Sequence, residues 1–157
     1  MSRLQSFDNA AHVLTELISF HEHLAEFYAR VAPDTHNAHA KMLLEFLAGR
    51  EKKLADTLEK YEDNAPHKIL KTWIQVPYPE DLDEFLSDLT LVATADMDPL
   101  QVYEMGEKAD DFVARLLSHV HDRCNINDVK TVFADLLKGE RNENIALSKA
   151  YNSLREM

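Results

Sequence analysis

The sequence predicts an all-α domain of four long helices, arranged as two antiparallel pairs joined by a long crossover. Three observations carry this expectation. Glycine and proline are scarce, with 3 and 5 in 157 residues, and so few breakers favour long helices over many short strands. Apolar residues recur at three- and four-residue spacing in four separate stretches. The second and third stretches are separated by a connector long enough to run the length of a bundle.

The first helix is expected over about Phe7–Ala32. Val13, Leu14, Leu17, Ile18, Leu24, Ala25, Tyr28, Val31 and Ala32 form its apolar stripe, and Pro33 ends it. The second is expected over about His36–Tyr61, with Met42, Leu43, Leu44, Leu47, Leu54 and Leu58 on its stripe. The third begins near residue 98, where Asp98 suits the N-cap and Pro99 the first helical position. It ends near His121, and its stripe includes Leu100, Tyr103, Val113, Leu116, Leu117 and Val120. The fourth spans about 127–155, with Asn127 or Asn125 as its cap. Its stripe holds Val129, Val132, Phe133, Leu136, Leu137, Ile145, Leu147 and Leu154.

The connector, about 63–97, contains Pro77 and Pro79, which rule out a continuous helix there. "EDLDEFLSDLTLVA" reads as a shorter helix within it. A helix of about 26 residues is roughly 39 Å long, and about a dozen extended residues cover that distance. The connector can therefore return the chain to the end from which the second helix started. Trp73, the only tryptophan, is expected to pack over the bundle with Ile69, Leu70, Ile74 and Val76.

The composition narrows the function classes. The chain is 45% hydrophobic and 29% charged, which suits one soluble domain over 1–157 with a sizeable core. Its net charge of -11 repels phosphate backbones and anionic lipid, which argues against nucleic-acid or membrane-surface binding. Cys124 is the single cysteine, so no intrachain disulfide forms, and no long apolar run is present. A reduced, cytoplasmic setting is the expectation. Ile18, Phe20 and Phe27 extend the first stripe over more than one face, which suggests a homodimer.

An internal repeat supports two helix pairs. "EHLAEFYARV" from Glu22 aligns without gaps on "EKADDFVARL" from Glu107, with Glu, Phe, Ala and Arg identical. "LEFLAGREKKLADTL" from Leu44 aligns on "FADLLKGERNENIAL" from Phe133, placing Leu47 on Leu136, Glu51 on Glu140 and Leu58 on Leu147. With "FYARVA" at Phe27 and the phrase from Leu44, the chain resembles the ferritin-like superfamily, closest to rubrerythrin-type domains. The resemblance covers all four helices.

That resemblance implies a carboxylate-bridged dimetal centre holding iron or manganese. Such a centre takes a Glu from each of two helices and Glu-x-x-His from each of the other two. The ligand candidates here are Glu51, Glu140 and Glu143, with His21 or Glu22 on the first helix and Glu104 or Glu107 on the third. The pattern departs from the family where Leu54 and Glu143 replace the two histidines, and where Gly106 stands at the ligand position of the third helix. Several carboxylates facing a closed core need a cation, a proton or cationic partners. Arg50 and Arg141, beside Glu51 and Glu140, point to the metal-free alternative, with the acids paired or turned to solvent.

Other constellations carry less. His36 and His39 share a face at an exposed helix start, and His119 and His121 do not share one. Cys124 has no resolving partner, and "EKADD" at Glu107 reads as a solvated acidic face. Two function classes remain. One is an oxidoreductase or metal-handling protein. The other is a metal-free degenerate bundle serving as a structural or protein-interaction module.

Overall fold

The computed structural model describes residues 7–75 and 81–157; the expectations for Val76, Pro77 and Pro79 lie outside them. Among the described residues six α-helices form, in the order α1 (Ala10–Val31), α2 (Ala38–Asn64), α3 (His67–Leu70), α4 (Leu82–Val92), α5 (Pro99–Arg123) and α6 (Asn127–Arg155). The four long ones match the four apolar stripes, so the all-α expectation holds. Two three-residue strands, β1 (Phe7–Asn9) and β2 (Trp73–Gln75), pair antiparallel. Among the described residues, no helix is long and apolar enough to cross a membrane.

Side-chain caps set most of the helix starts. Asn9 accepts a hydrogen bond from the His12 N–H at 2.8 Å, so α1 begins three residues later than expected. Asn37 does the same for α2 through the Ala40 N–H at 2.9 Å. Asp98 and Gln101 form the reciprocal capping box of α5, with Pro99 in its first turn. The fourth long helix departs from expectation. Ile126 is the cap residue of α6, without a side-chain cap bond, and Asn127 is already helical. Asp128 in the first turn supplies the negative charge that suits a helix N-terminus.

Two hydrogen bonds place two points of the connector, Thr72 and Ala95. The Ala10 N–H donates to the Thr72 carbonyl at 2.9 Å, where α1 starts and α2 has just ended. The His36 N–H donates to the Ala95 carbonyl at 2.9 Å, at the turn between α1 and α2. Thr72 and Ala95 therefore lie at opposite ends of α1, and α5 sets out from the end where α2 starts. The core lies between the long helices, with Leu14, Leu24, Leu43, Leu44, Leu47, Leu116, Phe133 and Leu147 almost wholly buried.

The aromatic that anchors the crossover is Phe85, not Trp73. Its ring stacks on Phe112 at 4.4 Å between centroids and lies 5.9 Å from Phe20. Trp73 is 68% exposed, whereas its neighbour Ile74 is 3% exposed. Successive side chains of a strand point to opposite faces, so seating Ile74 in the core turns the indole outward. Trp73→Ala is accordingly expected to change stability by no more than about 0.5 kcal/mol. Native tryptophan emission should be that of a solvated indole. Urea unfolding of the variant and fluorescence of the parent check both.

The stripes need further correction at single positions. Met42, Leu100 and Ile145 are exposed, at the edge of their stripes. Conversely, Ile18, Phe20 and Phe27 are all buried within one chain. The crossover covers the extra face of α1, with Phe85 against Phe20, so these residues give no ground for a dimer.

Candidate functional site: a buried ionic cluster

Each long helix contributes one charged group or more to the centre of the bundle, always from its apolar stripe. On α1, His21 shares its face with Leu17, Leu24 and Tyr28, all buried. On α2, Glu51 follows Leu44 and Leu47 on their stripe, and Arg50 is buried beside it. On α5, Asp110 lies one turn from both Gly106 and Val113. On α6, Glu140 lies two turns from both Phe133 and Leu147. All five charged residues are at most 6% exposed.

The groups neutralise one another in a connected chain. His21 Nδ1 donates to Glu51 Oε2 at 2.5 Å. Its Nε2 is 3.0 Å from Glu140 Oε1, at ion-pair distance, but too poorly aligned to count as a hydrogen bond. Arg50 Nη2 donates to Glu51 Oε1 at 2.9 Å and to Asp110 Oδ1 at 2.6 Å. Arg50 Nη1 donates to Asp110 Oδ2 at 2.9 Å and to the Glu143 carbonyl at 3.1 Å. The Arg50–Asp110 contact is thus bidentate, the geometry that suits a planar guanidinium. Asn144 adds a longer bond to Asp110 Oδ2 at 3.3 Å.

The protonation states follow from this arrangement. Burial alone would depress the His21 pKa, but Glu51 and Glu140 more than reverse it and raise it to about 10. His21 is therefore an imidazolium at neutral pH, and both ring nitrogens carry protons. Burial pushes the Glu51 carboxyl upward, yet His21 and Arg50 together hold it below its ordinary value. Asp110 goes the other way. Burial raises it to about 7, with Arg50 opposing and Glu51 and Glu140 reinforcing the rise. Burial and the Glu51 charge keep the Tyr28 phenol protonated.

The candidate residues read from the sequence divide. His21, Glu51 and Glu140 come together in the cluster. Glu143 is half-buried and contributes its backbone carbonyl to Arg50. Glu22 and Glu104 are exposed, and Glu107 is half-buried with its carboxylate against Tyr103. Asp110 was missed. It belongs to the "EKADD" run read as solvated, and that reading fails because Asp110 is 4% exposed. The available signal was its i+4 spacing from Gly106 and its i,i+3 spacing to Val113.

As arranged, these donors do not suit a dimetal centre. An imidazolium has no lone pair to give, and both oxygens of Glu51 already accept from cations. At Gly106, a methyl group would meet Leu147 Cδ2 at 2.9 Å and Leu47 Cδ2 at 3.2 Å, so leucines fill the ligand position on α5. Among the described residues, no group of three or more His, Cys, Asp or Glu is placed to hold a metal ion. His36 bonds Asp96 at 2.8 Å on the surface, and Cys124 is buried. Comparisons with protein-family models, with curated proteins and with solved structures return no match.

Proposed function

We propose that this chain is a ferritin-like four-helix bundle whose interior carboxylate site is neutralised by its own cations. In this reading α1–α2 and α5–α6 are the two antiparallel pairs, and the protein is a metal-free structural or interaction module. The observation that carries it is Arg50, whose guanidinium bridges Glu51 and Asp110 at 2.6–2.9 Å. That position supplies the positive charge that iron or manganese would supply in a metal-loaded bundle. His21 supplies a second charge between Glu51 and Glu140.

The repeat supports the fold side of the proposal, because Glu51 and Glu140 occupy equivalent positions and both face His21. The exposed pair Met42 and Phe46, one turn apart on α2, supports partner or self-association through that face. The net charge of -11 favours a partner other than nucleic acid or an anionic membrane.

The test is elemental analysis of protein purified without added metal, with thermal unfolding in the presence and absence of iron(II) or manganese(II). Metal at background and an unchanged Tm are expected. Stoichiometric iron or manganese, with a metal-dependent rise in Tm that Glu140→Gln abolishes, would establish the oxidoreductase or metal-handling reading instead.

A further inference from the structure

A cavity of about 170 Å³ borders the ionic cluster. Leu17, Leu54, Leu58, Val113 and Leu117 make its walls aliphatic, and His21 and Glu140 form its polar part. Thr57 and Asp135, both exposed, also border it, so it opens to solvent on that side. Leu54 stands where the family pattern places a histidine.

Two buried polar atoms of residues that border it, Glu140 Oε2 and His21 Nε2, have no hydrogen-bond partner among the described residues. Buried carboxylate oxygens normally have partners, and the Glu140 side chain is only 6% exposed. Charge points the same way. The cations of the cluster, His21 and Arg50, face Glu51, Glu140 and an Asp110 raised to about 7, and Asp135 adds a negative charge at the rim, so the surroundings favour a cation over an anion. Apolar cavities of roughly 150 Å³ accept a benzene-sized molecule, so the space suits an aliphatic tail of about four to six carbons.

The geometry points to a binding site for a small primary alkylammonium, its nitrogen donating to Glu140 Oε2 and its tail lying among Leu17, Leu54 and Leu117. A hydrocarbon without charge would leave Glu140 Oε2 unmatched. A bare ammonium ion would leave the aliphatic wall empty. The inference rests on the metal-free reading above, because bound metal would engage the same oxygen.

The test is calorimetric titration of the chelator-treated full chain with n-pentylammonium chloride at pH 7. Ammonium chloride and 1-pentanol serve as the two half-ligands. Saturable binding of pentylammonium is expected, with both half-ligands at least about ten-fold weaker. Glu140→Gln and, separately, Leu54→Phe, which fills the cavity without touching the ion pairs, should each weaken it by a similar factor. Circular dichroism establishes that each variant is folded, and Leu54→Phe decides the matter if Glu140→Gln is not. No binding by the folded parent, equal binding of 1-pentanol, or affinity unchanged by Leu54→Phe would overturn the proposal. Iron or manganese in the untreated protein would instead overturn the metal-free reading, and elemental analysis separates the two failures.

Discussion

Arg50→Ala is expected to destabilise the fold by about 3–5 kcal/mol, the usual cost of removing one partner from a buried ion pair. The loss comes mainly from what stays behind. Asp110 would lose its bidentate partner, and Glu51 would keep only His21. Both carboxylates are nearly inaccessible to water, so neither can replace the guanidinium with a full hydration shell. Asp110 would then take up a proton more readily still. The double change Arg50→Met with Asp110→Leu should recover most of the loss, because apolar groups of similar size can replace a buried pair at little cost. Urea unfolding of parent, single and double variants measures this. A single variant within about 0.5 kcal/mol of the parent would mean that Arg50 does not hold the cluster together.

The dependence of stability on pH is the second large effect. His21 is raised from 6.5 to about 10 in the folded chain, so the stability it contributes is fully present below pH 6.5 and is lost as pH rises toward 10. Asp110 is raised from 3.8 to about 7. The folded state therefore holds its proton more tightly between those values, and stability falls across that window as well. Glu51 is lowered from 4.5, so its contribution is present above pH 4.5 and is lost on acidification below it. Arg50 stays charged throughout. Tyr28 is raised above its ordinary value of 10 and acts only beyond that range.

Together these place the stability maximum in acidic solution near pH 4.5, with a decline through the Asp110 window and on toward pH 10. The His21 contribution is of the order of several kcal/mol, since each pKa unit corresponds to about 1.4 kcal/mol. His21→Gln should flatten the decline between pH 6.5 and 10 and also weaken the acid limb, because His21 is the first of the two cations that hold Glu51 down. Urea midpoints across the range test this. A parent midpoint that rises steadily from pH 6.5 to 9 would contradict the assignment of charge to His21.

The long helices were legible because period and punctuation agree along the sequence. Asp98 stands where the third stripe begins, and the crossover length follows from the breaker positions. Trp73 was misplaced because three residues of strand are too few to show alternation, and the pairing that sets its face comes from residues 7–9. The cluster was legible in part. His21, Glu51 and Glu140 were candidates because the resemblance and the internal repeat single out their positions. Asp110 was hidden inside an acidic run whose other members, such as Asp111, are exposed. The Arg50–Asp110 pair joins residues 60 apart in sequence. Neither periodicity nor local charge pattern registers such a contact, because a long arginine stem can carry its charge inward or outward from the same backbone position.

The protonation of His21 bears most directly on whether the bundle neutralises itself. Nitrogen-15 chemical shifts of the His21 ring, recorded on labelled native protein at pH 8 and assigned with His21→Gln, read it without perturbing the fold. Two protonated ring nitrogens are expected, because Glu51 and Glu140 raise the pKa to about 10. A neutral ring with one bare nitrogen at that pH would contradict the self-neutralised cluster and restore a lone pair that a metal could use.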